Sequence, residues 1–124
     1  MRLAVIEDDR GWEEYYRDVL GYDDGIKELR FFRDGVVAVQ AMDEWVPDVV
    51  ILDVLLTGPT GFAVLNEMRS YEELMKVPVI IVSSVEVGED IAAEYGVVKA
   101  LDKSLMTPQE LLGAIREVRS KDGE

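Results

Sequence analysis

Short runs of consecutive apolar residues alternate along this chain with stretches in which apolar residues recur every three or four positions. The short runs are rich in β-branched side chains and predict strands, two of them buried on both faces. The periodic stretches predict amphipathic helices. Their alternation predicts five β-α units, and therefore a doubly wound α/β fold with a parallel five-stranded sheet between two helix layers.

The predicted elements share residues 1–124 as one domain. Strands are expected at residues 3–6, 26–32, 49–53, 79–82 and 97–101. Helices are expected at residues 11–20, 35–45, 62–68, 89–95 and 107–118. The second strand has mixed polarity and is expected near a sheet edge, whereas Thr107, Pro108 and Glu110 form a strong start signal for the last helix.

The charge and composition exclude several classes of function. With a formal net charge of −13, the chain is not expected to bind nucleic acid or an anionic membrane unaided. The absence of cysteine excludes disulfides and thiolate metal sites, and the absence of histidine removes the usual general base. We find no secretory h-region and no membrane-spanning apolar run, so a cytoplasmic location is expected.

Acidic side chains stand where the chemistry is expected. Asp53 closes a buried strand, where a carboxylate is costly unless it is compensated. Glu7 and Asp8 end the first strand, and they meet Asp53 at one sheet edge if strands one and three are neighbours. Three carboxylates this close repel one another, so either one of them takes up a proton or a cation lies among them, and oxygen ligands of this kind suit Mg²⁺. Ser83 after the fourth strand and Lys103 after the fifth add a hydroxyl and a cation, so a phosphoryl group could be held on an aspartate here.

Together these residues resemble the response-regulator receiver domains of two-component signalling over nearly the full length of the chain. The resemblance rests on Glu7-Asp8-Asp9, the run ending in Asp53 with Gly61 after it, Ser83-Ser84 and Lys103. It implies a flavodoxin-like strand order of 2-1-3-4-5 and a Mg²⁺-dependent phosphoryl transfer onto Asp53.

The resemblance also assigns roles to residues. Asp8 and Asp53 would hold Mg²⁺, with Glu7 acting through water and Leu55 through its main-chain carbonyl. Ser83 would hydrogen-bond the phosphoryl group and Lys103 would pair with it.

The implied partners are a sensor histidine kinase or a histidine phosphotransfer protein, and a downstream protein target, with a homodimer left open. The chain would catalyse its own phosphorylation and slow dephosphorylation without being a turnover enzyme.

Three departures from the family pattern concern the output and the loops. Ala100 stands where the family usually has Tyr or Phe, so the usual aromatic switch is missing. Ser104 replaces the proline whose peptide is typically cis, and a non-proline cis bond costs about 3–4 kcal/mol. Thr57 replaces a loop proline, with Pro59 two residues later, so the loop path is expected to differ.

A fourth departure concerns the lifetime of the phosphoryl group. Leu55 and Val85 occupy the two positions that flank the group and influence the access of water. Apolar side chains cannot orient an attacking water, so slow self-dephosphorylation is expected.

Three alternatives stay open at this point. A haloacid-dehalogenase phosphatase needs a second aspartate where Leu55 stands. A flavodoxin-like flavin binder needs a Ser/Thr/Gly-rich loop in place of Glu7-Asp8-Asp9. A pseudo-receiver would serve only as an interaction module and would never be phosphorylated.

Overall fold

A computed structural model describes residues 1–56 and 60–122 of the chain. Its strands are β1 (Arg2–Ile6), β2 (Glu28–Phe32), β3 (Val49–Leu52), β4 (Val79–Ser83) and β5 (Val97–Asp102). Its helices are α1 (Arg10–Leu20), α2 (Gly35–Trp45), α3 (Gly61–Met68), α4 (Glu89–Glu94) and α5 (Pro108–Asp122). All ten predicted elements are therefore present, with ends that shift by a few residues.

The five strands form one parallel sheet in the order β2-β1-β3-β4-β5. This is the order that the resemblance implies. β1 and β3 are neighbours, and the chain leaves them toward opposite faces of the sheet. A crevice therefore opens at their carboxyl ends. β2 and β5 are the edge strands, and most of β5 is exposed to solvent.

The alternating direction of side chains along a strand explains why the central strands are apolar throughout. On β1, Ala4 and Ile6 pack against the layer of α2 and α3, whereas Leu3 and Val5 pack against α1 and α5. Successive side chains of a strand point to opposite faces, so a sheet covered on both sides needs apolar residues at every position.

Polar caps start the first three helices at the carboxyl edge of the sheet. The side chain of Asp9 accepts a hydrogen bond from the N–H of Trp12, and Asp34 caps α2 in the same way. Thr60 caps α3 by accepting from the N–H of Ala63. Each cap satisfies an N–H group that the first helical turn leaves without a partner.

The structure adds one element that the sequence pattern did not predict, a single 3-10 turn at Leu74–Lys76 between α3 and β4. Within the described ranges, no helix has the length and apolar character that crossing a bilayer requires.

A buried ion pair links the loop after α1 to the last helix. The Asp23 side chain is 7% exposed, and one of its oxygens accepts from the N–H of Gly25 at 2.8 Å. Both of its oxygens accept from the Arg119 guanidinium at 3.3 Å. Burial works to raise the pKa of Asp23, but the Gly25 and Arg119 hydrogen bonds outweigh burial and lower it.

We expect Asp23→Asn to lower the free energy of unfolding by about 1–3 kcal/mol at neutral pH, because a charge-assisted buried hydrogen bond is lost. A lowered pKa stabilises the fold above the ordinary Asp value of 3.8, and this contribution disappears as the pH falls below that value. Urea unfolding at several pH values measures the difference, which should shrink in acid. The exposed neighbour Asp24, changed to Asn, is the matched control. Equal effects of the two substitutions would contradict the role given to Asp23.

Candidate functional site

The sheet register places Glu7 and Asp53 side by side. Ile6 is paired with Leu52 across β1 and β3, so the next residue of each strand leaves the sheet at the same level. The N–H of Asp53 donates to the carbonyl of Ile6 at 3.1 Å, and the N–H of Glu7 donates to the carbonyl of Phe32 at 2.9 Å. Main-chain hydrogen bonds therefore fix both backbones, and both side chains are almost fully buried.

Lys103 brings a cation to these two carboxylates. Its N–H donates to the carbonyl of Ser83 at 3.1 Å, which attaches the end of β5 to the end of β4. Its ammonium lies 2.8 Å from Oδ2 of Asp53 and 2.7 Å from Oε2 of Glu7. With a side chain only 11% exposed, Lys103 forms a bridge between the two acids that solvent screens weakly.

Burial and the ion pairs act in opposite directions on the pKa values of this site. Burial is the largest influence on Glu7 and raises its pKa, although Lys103 opposes the change. Burial would lower the pKa of Lys103, but its hydrogen bond to Asp53 and its ion pair with Glu7 outweigh this and raise the pKa. Lys103 therefore stays charged at neutral pH and offers a fixed positive charge beside Asp53.

The carboxylates of Glu7, Asp8 and Asp53 fit a divalent cation. One oxygen from each lies within 4.8 Å of the others. Oxygen ligands of this kind suit Mg²⁺, which keeps part of its water shell. Leu55 donates its N–H to Oδ1 of Asp53 at 2.9 Å, while the use of its carbonyl as a ligand stays a prediction.

A cavity of about 430 Å³ opens in front of these carboxylates. Besides the acidic residues and Lys103, it is bordered by Trp12, Leu55, Ser84 and Ser104. Through this cavity, a small molecule or a side chain of another protein can reach Asp53, which is only 5% exposed.

Ser83 and Ser84 lie in different places at the end of β4. The Ser83 side chain is buried, and its hydroxyl accepts from the N–H of Val85 at 3.3 Å. Ser83 borders a second groove of about 400 Å³, together with Val85 and Ala100. Ser84 is exposed and borders both this groove and the cavity in front of Asp53. The hydrogen bond from Ser83 to a phosphoryl group stays a prediction.

The departures at Ala100 and Ser104 have structural consequences. Ala100 is exposed on β5, beside the second groove. The Lys103–Ser104 peptide is trans. The Asp102 carboxylate accepts from the N–H of Ser104 at 2.8 Å and from its hydroxyl at 2.6 Å, so a side-chain turn holds the loop that carries Lys103. The departures at Thr57 and Pro59 lie outside the described residues.

Trp12 is a site residue that the sequence interpretation missed. Its helical spacing with Tyr15 and Tyr16 predicts helix packing or, for one or two of these rings, contact with a docking partner. In the structure its ring centroid lies 4.9 Å from the ammonium of Lys103. One signal pointed to this position. Trp12 lies in the first turn of a helix that begins directly after the acidic run, and that turn is at the carboxyl edge of the sheet.

Comparison with known proteins agrees with this geometry. The family model described as "Response regulator receiver domain" matches residues 3–116. A protein-glutamate methylesterase/protein-glutamine glutaminase of Oleidesulfovibrio alaskensis is 28% identical, over 90% of this chain and 32% of the relative. The response regulator MprA of Mycobacterium leprae is 30% identical, over 94% of this chain and 50% of the relative.

Among solved structures, a DNA-binding response regulator of the LuxR family from Staphylococcus aureus is similar to this chain, with a TM-score of 0.80 and 26% identity. The match covers 94% of this chain and 97% of that one. The chain spans about a third of the length of the methylesterase relatives.

Gly61 fixes the distance between α3 and the backbone that carries Asp53. A Cβ at this position would lie 2.5 Å from Cα of Val54 and 2.6 Å from the carbonyl oxygen of Asp53. We expect Gly61→Ala to lower the free energy of unfolding by about 1–3 kcal/mol, because backbone must move to make room. Gly113→Ala is the control, since its Cβ would meet nothing within 4 Å and alanine favours a helix. Thermal or urea unfolding measures both, and an unchanged Gly61→Ala variant would contradict the close packing.

Proposed function

Because this chain belongs to the response regulator receiver domain family, we propose that it acts in two-component signalling by accepting a phosphoryl group on Asp53. The single observation that carries the proposal is the position of Asp53. Its carboxylate borders a cavity, has an ammonium at 2.8 Å, and shares an oxygen cluster with Glu7 and Asp8. This combination supplies a nucleophile and groups that neutralise charge at the same point.

The transfer step follows from the chemistry of the groups. An oxygen of Asp53 attacks the phosphorus of a phosphohistidine, a P–O bond forms, and the P–N bond breaks. The electron pair of the P–N bond stays on the imidazole nitrogen of the donor. Since the chain contains no histidine, the donor is a partner protein, either a sensor histidine kinase or a histidine phosphotransfer protein.

Lys103 takes part in this step through its charge. The transferred phosphoryl oxygens are anionic, and the ammonium already lies beside the accepting carboxylate. Lys103 pairs with a phosphoryl oxygen after the transfer. Ser83 would donate a hydrogen bond to another phosphoryl oxygen, and its hydroxyl can do so while its oxygen accepts from the N–H of Val85.

Mg²⁺ is the proposed cofactor. Asp8 and Asp53 would hold it, with Glu7 acting through water and the main-chain carbonyl of Leu55 as a further ligand. When bound, Mg²⁺ neutralises negative charge on the carboxylates and on the phosphoryl oxygens. The binding of Mg²⁺ to these residues is supported by their oxygen-only donor set and by the close grouping of one oxygen from each carboxylate.

The output is proposed to be contact with a downstream protein. The family usually reports phosphorylation with an aromatic side chain where this chain has Ala100. The groove that Ala100 borders reaches Ser83, so a change at Ser83 can reach the surface without an aromatic residue. We expect the chain to act in the cytoplasm, where its kinase or phosphotransfer partner would meet it.

Acetyl phosphate with Mg²⁺ tests the acceptor directly. We expect the native protein to gain the mass of one phosphoryl group, measured on the intact protein, because Asp53 is accessible through the cavity. Asp53→Asn, which keeps the shape of the side chain, should gain nothing. Asp43→Asn removes an exposed carboxylate from α2 and should behave like the native protein. No mass gain in the native protein would favour a pseudo-receiver that works by contact alone.

The lifetime of the phosphorylated form is expected to be long. The Leu55 side chain borders the Asp53 cavity, and neither it nor Val85 can orient an attacking water. Loss of the phosphoryl group in Mg²⁺ should be severalfold slower in the native protein than in a Leu55→Asn, Val85→Glu variant.

Met75→Asn is the control for this comparison, because it also replaces an exposed apolar residue with a polar one but lies in the 3-10 turn before β4. It should leave the decay rate unchanged. Decay in the native protein as fast as in the double variant would rule out shielding by Leu55 and Val85.

A further inference from the structure

Lys103 has a third neighbour besides its two carboxylates. The Trp12 ring centroid lies 4.9 Å from the ammonium, within the range of a cation–π contact. Glu7 and Asp53 contact the ammonium through oxygen atoms, whereas Trp12 presents the face of its indole ring.

The surroundings of Trp12 hold its ring in place. The backbone N–H of Trp12 donates to Oδ1 of Asp9 at 3.0 Å. This hydrogen bond fixes the backbone at the first turn of α1. Its ring packs against Tyr15 at 5.1 Å and against Tyr16 at 6.0 Å between centroids. Because Tyr16 is almost completely buried, the two tyrosine rings support the indole on the side of the protein core.

The carboxylates and the indole differ in how they respond to a divalent cation. Glu7 and Asp53 contact Lys103 and also belong to the candidate cation cluster, so Mg²⁺ competes with the ammonium for their oxygens. An indole face offers no oxygen, and Mg²⁺ does not compete for it. Trp12 is therefore a neighbour that Lys103 keeps when the cluster is filled.

We propose that Trp12 is a positioning residue that retains the Lys103 ammonium beside Asp53 when a divalent cation occupies the oxygens of Glu7 and Asp53. This role for Trp12 rests on the proposed function, because the proposed phosphoryl transfer uses Mg²⁺ and the Lys103 ammonium together. The contact itself exists independently of the reaction and can be measured without it.

NMR of the full chain labelled with ¹³C-lysine tests the contact. The chain has five lysines, and a Lys103→Arg variant identifies the Lys103 signal. We expect the ε-methylene protons of Lys103 to be shifted upfield by the indole ring current, and to stay shifted when Mg²⁺ is added. An unshifted signal, or a shift that Mg²⁺ abolishes, would overturn the proposal without any variant of Trp12.

Two variants separate positioning from packing. Trp12→Leu keeps apolar bulk and removes the aromatic face, whereas Trp12→Phe keeps a smaller face. At saturating Mg²⁺, we expect Leu to slow phosphorylation by acetyl phosphate by about three- to tenfold, and Phe to restore most of the rate. Mg²⁺ affinity, measured by calorimetry, should stay close to the native value in both variants because Trp12 supplies no ligand.

The outcomes distinguish this inference from the proposed function. Equal rates in the Leu variant and the native protein, or equal loss in the Leu and Phe variants, would overturn the positioning role while phosphorylation of Asp53 stands. If the native protein takes no phosphoryl group, the proposed function fails, and the Lys103 shift in Mg²⁺ still decides whether Trp12 retains the ammonium.

Discussion

The structure of the site depends on one interaction, the bridge that the Lys103 ammonium forms between the buried carboxylates of Glu7 and Asp53. Two buried acids at the ends of adjacent strands would repel each other without a cation between them. Removing one member of such a group leaves a buried charge without its partner, which costs far more than an exposed ion pair contributes. The single positive charge of Lys103 compensates the two carboxylates only in part. A divalent cation that binds here would therefore meet net negative charge.

The fold places the three members of this bridge on separate elements. Adjacency of β1 and β3 brings Glu7 beside Asp53, and the main-chain bond to Ser83 brings Lys103 to them. Gly61 lets α3 approach the backbone of Asp53 and Val54 closely. The site is thus built from residues far apart in sequence, and the close packing of the sheet and helices holds them in position.

Most of the fold could be predicted because it follows from periodicity. Four apolar residues at Val49–Leu52, three of them β-branched, predict a strand buried on both faces, and Thr107 marks a helix start by its capping chemistry. The gathering of Glu7, Asp8, Asp53 and Lys103 was predictable once β1 and β3 were taken as neighbours. What could not be predicted depends on side-chain direction. Spacing cannot tell that Trp12 faces Lys103, or that Ser84 rather than Ser83 borders the cavity in front of Asp53.

Identification of the modified atom tests the central claim most directly. Borohydride reduces an acyl phosphate of aspartate to homoserine, so reduction after treatment with acetyl phosphate and Mg²⁺ marks the acceptor permanently. Peptide mass spectrometry should find homoserine at position 53 and unchanged acids at positions 7 and 8. A reduced residue at position 7 or 8, or no reduced residue in a protein shown to be phosphorylated, would contradict the assignment of Asp53 as the acceptor.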